Sequence, residues 1–459
     1  MEDTLQAGTK LADERRRRRV HVVAVPQRGL HGHVNPMLSF CRTLISNSHH
    51  SSAPDVHVTL VVTQHWLRST HHEAGGSDDR LGFLEADETK TEEEALERLL
   101  DTALIEPPPD LMVADGFLAW AVAVGERRNI PVASFWPASA SLFTTAYHHH
   151  LLLSAHSFPL DHQSGNEGEE RTDLIPGIPS IRLSDLPGEI QTNNKGVLNT
   201  ITTAVTTATK AQCIIFRTMN ELEEAALTAL KTAISVPLFP IGPAIPYPSF
   251  TPNRKTIAPD YIKWLDTQQP NSVLYVSLGT YLSAADAQID ELAAGLNDSG
   301  IPFLWVAPNR ADHHLGAILG DHTLGKVVNW CDQMKVLSHC SIGGFLTHCG
   351  WNSTLEAAFS GVPALTFPLG LDQTLNSKLM VEDWGIGWRA KTNFQDLVTR
   401  GRISELLSKF MDSEGADRKE LDRRCKKLKK LLLLGVAEDG STTTLDHLFF
   451  HVMSQINKW

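Results

Sequence analysis

The chain has 459 residues, 42% of them apolar, and a formal net charge of −12. That length is too great for one ordinary core and predicts two domains of roughly 200 residues each, while the acidic balance argues against a nucleic-acid partner, which needs a basic face. The one basic cluster, Arg15–Arg19, is offset by Glu2, Asp3, Asp13 and Glu14 and reads as part of a solvated tail over residues 1–19.

The apolar run behind the arginines, Val20–Val25, is too short for a signal-peptide core or a membrane span, as is Leu431–Leu434. No integral membrane association and a cytoplasmic location are therefore expected. Six cysteines without CxxC spacing predict reduced, structural thiols. His148, His149 and His150 stand side by side without a nearby acidic or cysteine partner, so no metal site is expected.

Val20–Val25 reads as a strand that leads into the turn Pro26–Pro36, which carries Gly29, Gly32, His31 and His33, and then into a helix with apolar Met37, Leu38, Phe40, Cys41, Leu44 and Ile45. Strands follow at Val56–Thr63, at Leu111–Ala114, which Asp115 ends, and at Cys213–Phe216. Asp115 is open to two readings, a functional carboxylate or a cap for a helix over Phe117–Val124. Phe117, Trp120, Trp136, Phe143 and Tyr147 suit either an aromatic-lined pocket or core. Prolines 237, 240, 243, 246, 248 and 252 crowd a stretch that disfavours helix and central strand alike, as a linker does. Beyond it, Val273–Val276 and Phe303–Val306 resume the alternation of strand and helix that predicts parallel sheets covered by helices. Near the end, Leu421, Cys425, Leu428 and Leu432 form an apolar helical stripe whose lysines read as solvated.

The stretch from Trp330 to Gln373 is the densest in chemistry. A strand at Ile342–Thr347 runs into the turn His348-Cys349-Gly350-Trp351-Asn352, and Ser353-Thr354-Leu355-Glu356 has the spacing of a capping box, so a helix is expected to start near Ser353 and stop at Gly361-Val362-Pro363. The unpaired N–H groups and positive dipole end of such a helix suit a phosphate. His348, Asn352 and Ser353 offer donors beside it, Gly350 permits close approach, and no Lys or Arg lies between His348 and Gln373. Trp330 offers a face to a base, and Glu356 an acceptor for ribose hydroxyls. Singly these residues have plainer readings: Glu356 as a cap, Trp330 as core, Asp372 and Gln373 as the start of the next helix.

Together, the 44 residues from Trp330 to Gln373 resemble the nucleotide-sugar box of the plant UDP-dependent glycosyltransferases. The likeness extends over nearly the whole chain, through Ser272–Thr280, Gln288, Glu291–Leu296, Phe303–Val306 and Gly440–Asp446. It implies an α/β protein of GT-B fold, with two Rossmann-like domains whose parallel sheets face a central cleft. The divisions expected are a tail (1–19), an acceptor-binding domain (20–243), a linker (244–259), a UDP-sugar-binding domain (260–440) and a C-terminal segment (441–459) whose helix, about Leu445–Gln455, returns to the first domain.

The resemblance also implies roles. Trp330 stacks on uracil, Gln333 and Glu356 hold the ribose, and Thr280, His348, Asn352 and Ser353 hold the diphosphate. Asp372 and Gln373 bind sugar hydroxyls, and Trp351 and Gln373 are usual in members that use glucose. His33 is the matching base, with His31 as its rival, and Asp115 orients it. The implied activity is inverting transfer of glucose from UDP-glucose, without metal or other cofactor, to a hydroxyl or carboxyl of a small apolar acceptor such as a phenolic, flavonoid or terpenoid. A monomer with no partner beyond donor and acceptor is expected. Three departures motivate an alternative, a UDP-sugar-binding protein of the same fold with little transferase activity: a turn before His33 one residue longer than usual, Pro137 where a hydroxyl residue is common, and Gly370 where an aromatic is common; a shortened Arg68–Ala103 stretch is a further departure, in a segment that shapes the acceptor side.

Overall fold

The computed structural model of the chain describes residues 19–47, 55–70, 79–102, 105–160, 167–243, 245, 258–279, 284–308, 324–437 and 447–448. Thr280, most of the expected linker and most of the expected C-terminal helix lie outside them.

Among these residues the first sheet takes β1 (Arg19–Val25), β2 (Asp55–Val62), β3 (Leu81–Glu85), β4 (Leu111–Asp115) and β5 (Val132–Trp136). A small antiparallel pair, β6 (Arg171–Thr172) and β7 (Ile181–Arg182), stands apart, and β8 (Cys213–Phe216) and β9 (Leu238–Pro240) complete the sheet. Its order is β3-β2-β1-β4-β5-β8-β9, with every pairing parallel. The second sheet is built from β10 (Val273–Ser277), β11 (Phe303–Val306), β12 (Lys326–Val328), β13 (Ile342–Thr347), β14 (Ala364–Thr366) and β15 (Gly387–Arg389). It too is parallel, in the order β12-β11-β10-β13-β14-β15. Strands β4, β5, β8, β10 and β13 are buried at every position, as central parallel strands covered on both faces must be.

The helices that position the site are α1 (His31–Asn47), α2 (Ala140–Tyr147), α3 (Gly188–Gln191), α4 (Trp351–Ser360), α5 (Gln373–Lys378) and α6 (Ala416–Ala437). Helix α1 packs Met37, Phe40, Cys41 and Leu44 onto the first sheet, in the same cluster that receives Leu448 from the far end of the chain. In α6 the expected stripe is inward, with Leu421, Cys425 and Leu432 buried, while Lys426 and Lys427 are exposed. Arg19 is the first residue of β1 and not the last of a tail.

Each sheet reverses its strand order once beside its earliest strand, between β1 and β4 and between β10 and β13. The crevice outside the carboxyl ends at such a point is where α/β sheets take ligands. Ion pairs, buried at Asp185 and more open at Glu382, join the two halves. Asp185, 1% exposed, accepts from Arg182 of the first half at 2.8 and 2.9 Å and from Arg389 of the second at 2.9 and 3.2 Å. Glu382 in turn takes Arg389 at 2.7 Å and Arg171 at 3.0 Å. Nearby, Gly188 N–H donates to the Leu371 carbonyl (2.8 Å) and the Thr374 hydroxyl to the Leu186 carbonyl (2.6 Å).

Candidate active site

His33 is the third residue of α1 and reaches across the switch point of the first sheet. Its Nδ1 lies 2.8 Å from Asp115 Oδ2 at the end of β4. Burial alone would lower the imidazole pKa, but the charge and hydrogen bond of Asp115 outweigh it and leave His33 above its ordinary value. The second carboxylate oxygen, Oδ1, accepts from Phe117 N–H at 3.0 Å. Asp115 thus closes the local turn and holds the imidazole at once. His31 is exposed, away from that carboxylate. The longer turn before α1 therefore still brings His33, and not its rival, to Asp115.

Phe117 stands edge-on to His33 with ring centres 5.7 Å apart. Behind it Trp136 and Phe143 are wholly buried in a column of rings that continues to Phe216, so these two belong to the core. Of the five candidate aromatics, Phe117 is the one in contact with His33. The Tyr147 hydroxyl is occupied by the Ala233 carbonyl at 3.4 Å.

On the opposite wall β13 turns into α4 through His348, Cys349 and Gly350. Cys349 has φ +65° and Leu371, before Asp372, has φ +53°, a region that residues with a Cβ seldom enter and that concentrates at ligand sites. The His348 ring packs against Gly279 and Gly350, where an added Cβ would come within 2.5 Å of its Nε2. Burial depresses His348 to about 4, against the pull of the Ser277 backbone, so it is neutral, and its buried Nδ1 meets no partner at hydrogen-bond geometry.

The capping box expected at Ser353 does not form. Helix α4 begins two residues earlier, at Trp351, with Gly350 as its cap. Gln333 Nε2 instead donates to Ser353 Oγ (2.9 Å) and Glu356 Oε2 (2.6 Å), while its Oε1 accepts from the buried Tyr275 hydroxyl (3.0 Å). The Ser-x-x-Glu spacing serves this network, one turn into the helix, because Gln333 competes for both side chains. Burial pushes Glu356 up to about 7, against the hydrogen bond from Gln333.

Trp330 is 62% exposed, an unusual state for an indole and one that leaves its face open. Trp351 is buried, and its Nε1–H donates to the Arg217 carbonyl at 3.1 Å. Asp372 and Gln373 do begin a helix, α5, but their side chains are also engaged. Asp372 Oδ2 accepts from Asn376 (2.8 Å), and Gln373 Oε1 accepts from Leu369 N–H (2.8 Å). Gly370 has φ +143°, a backbone conformation that an aromatic residue would rarely adopt, and its Cα lies close to Gly188 of α3, where an added Cβ would come within 3.4 Å of it.

Asn352 joins the two walls. Its Nδ2 donates to the Gly32 carbonyl at 3.1 Å, one residue from His33, and its Oδ1 accepts from Arg217 Nη1. Arg217, directly after β8, was not marked by any spacing in the sequence. Nor was Glu189 on α3, a buried carboxyl raised to about 7, by burial first and by the neighbouring Asp372 charge as well. Both residue types are seldom buried without a polar task, and that became visible only once their depth was known.

Residues 250–408 match the family described as UDP-glucoronosyl and UDP-glucosyl transferase. The chain is 39% identical to UDP-glycosyltransferase 87A2 of Arabidopsis thaliana, over 94% of its own length and 96% of that protein's. The chain belongs to the UDP-glycosyltransferases. This glycosyltransferase is also 38% identical to UDP-glycosyltransferase 87A1 of the same plant, over 90% of its own length and 95% of its relative's. Its fold matches Phytolacca americana UGT2, solved with UDP-2fluoro-glucose and pterostilbene (TM-score 0.77, 24% identity, 95% of this chain and 100% of that one). It matches Medicago truncatula UGT71G1, solved with UDP-glucose, comparably (TM-score 0.76, 23% identity, 95% and 98%). The architecture is GT-B, and the activity is transfer of a sugar from a UDP-sugar to a small molecule. Among the described residues no helix is long and apolar enough to cross a membrane.

Proposed function

We propose that this glycosyltransferase moves glucose from UDP-glucose to a hydroxyl or carboxyl of a small apolar acceptor of phenolic, flavonoid or terpenoid type, with inversion at the anomeric carbon. The observation that carries the mechanism is the His33–Asp115 pair at one switch point, one residue from the carbonyl that Asn352 of the other half holds. Asp115 keeps the proton on Nδ1, so the Nε2 lone pair is free to take a proton from the acceptor. The acceptor oxygen then attacks the anomeric carbon in line while the C–O bond to UDP breaks. UDP departs into the N-terminal end of α4, where backbone N–H groups and the dipole meet its charge without a metal.

On this reading residues 20–243 hold the acceptor and 260–440 the donor. Trp330 stacks on the base, Gln333 and Glu356 take the ribose, Thr280, His348, Asn352 and Ser353 face the diphosphate, and Trp351 supports the site. Asp372 and Gln373 meet the sugar. Glucose is favoured by that pair and by relatives such as the 7-deoxyloganetin glucosyltransferase of Catharanthus roseus, 28% identical over 92% of this chain and 94% of that protein. Phe117 beside His33 favours a flat or apolar acceptor. Six free cysteines, five of them buried, fit a reducing cytoplasm, where we expect a monomer to act. The test is incubation with UDP-glucose, UDP-galactose or UDP-glucuronic acid and a mixed acceptor panel, read by mass spectrometry. A product heavier by one hexose from UDP-glucose is expected. Preference for another donor would overturn the sugar assignment, and UDP binding without product from any donor would favour the binding-protein alternative.

A further inference from the structure

We propose that Arg217 is a binding residue for the nucleotide diphosphate and supplies the positive charge that the stretch from His348 to Gln373 lacks. This rests on the functional reading above and adds to it a residue of the acceptor half.

Arg217 is 3% exposed and stands at the carboxyl end of β8, on the cleft side of the first sheet. Its Nη1 donates to Asn352 Oδ1, in the first turn of α4, and its Nη2 to the Pro243 carbonyl at 3.1 Å. Its Nε is buried with no partner. Among the described contacts no carboxylate forms a salt bridge with it. Glu356 acts on it as a counter-charge, but burial prevails and lowers the guanidinium to about 10.

A guanidinium buried against the positive end of a helix is unfavourable unless an anion shares the place. Three features around the β13–α4 turn therefore ask for the same ligand: the N–H groups that the first turn of a helix leaves unpaired, the partnerless Nε of Arg217 beside Asn352 and the partnerless Nδ1 of His348. A diphosphate answers all three, and its planar P–O edges match a guanidinium fork. The charge also suits the reaction. As the glycosidic C–O bond breaks, its electron pair passes to the β-phosphate oxygen and the acceptor proton to His33, so negative charge grows on UDP where Arg217 stands. Asn352, held between Arg217 and the Gly32 carbonyl, ties this charge to the turn that carries His33.

The test compares UDP and uridine binding by calorimetry in wild type, Arg217→Gln and Arg217→Lys, each checked by thermal melt, over a range of salt. UDP affinity is expected to fall about tenfold or more in Arg217→Gln, as for loss of a hydrogen bond to a charged group, while uridine affinity holds. Arg217→Lys should recover part of the UDP-over-uridine ratio. The loss of UDP affinity in the glutamine variant should persist at high salt, since a charge buried as deeply as Arg217 is screened far less than a surface pair. Equal weakening of both ligands, or an unchanged UDP affinity with a lower melting temperature, would reduce Arg217 to a support between the halves. If Arg217→Gln does not fold, the lysine variant decides by the same ratio. Wild type that binds neither ligand would overturn the functional reading itself.

Discussion

Replacing Asp115 by Asn tests the orientation of His33 more sharply than deleting it. Asp115 Oδ1 accepts from Phe117 N–H at 3.0 Å and Oδ2 faces His33 Nδ1 at 2.8 Å. In Asp115→Asn the backbone N–H claims the amide oxygen, because an amide NH2 cannot accept, and the NH2 is turned toward His33. Nδ1 must then accept, the imidazole proton moves to Nε2, and the lone pair needed for the acceptor is lost. Loss of general-base function costs about 10²–10⁴ in kcat, and a wrong tautomer enforced by the site belongs at the upper end. Asp115→Ala leaves the ring free to sample both tautomers, so its kcat should exceed that of the Asn variant. With the carboxylate gone, the raised pKa of His33 relaxes downward, because the charge and hydrogen bond that hold it up are lost. Since the neutral ring is the active form, the acid limb of the kcat profile moves to lower pH while its plateau drops. Steady-state rates from pH 5 to 9 and calorimetric UDP affinity check this together. An Asn variant as active as Ala, or a fall in UDP affinity that accounts for the lost rate, would show that Asp115 does not set the tautomer of His33.

Trp330→Ala removes an exposed stacking face and should weaken UDP binding by about 1–3 kcal/mol, roughly 5- to 150-fold, with the melting temperature nearly unchanged. Asp185→Asn removes the buried charge shared by Arg182 and Arg389, which keep Glu169 and Glu382 as outer partners, and should cost about 1.5–3 kcal/mol in denaturant unfolding. Glu189 is raised from the ordinary 4.5 to about 7, so on raising the pH its unfolded form ionises first and stability is lost between about pH 4.5 and 7. Glu189→Gln should remove that loss, at most about 3 kcal/mol, and a melt series from pH 4 to 8 that keeps the wild-type slope would contradict it.

The parts of the site legible in the sequence were those carried by a contiguous pattern or by the end of a strong strand. Cys213–Phe216, Phe303–Val306 and Ile342–Thr347 match β8, β11 and β13 residue for residue, because a buried parallel strand is a short unbroken apolar run. Strands β12, β14 and β15, three residues each, are too short to show any period. The pairing of His33 with Asp115 across 82 positions was implied by family likeness and needed the strand order for its physical reason. The capping box failed because Ser353 and Glu356 answer to Gln333, a partner that local spacing does not reveal. Arg217 was illegible for a related reason. A lone arginine after a strand is ordinary until its depth and its contact with Asn352 are known.

Whether His33 is the base is decided by the rate of hexosyl transfer from UDP-glucose by wild type and His33→Ala, with UDP affinity measured on the same samples. Transfer by wild type, a loss of about a hundredfold or more in the variant and an unchanged UDP affinity are predicted. Comparable rates in the two proteins would contradict the assignment of His33 as the base on which the account rests.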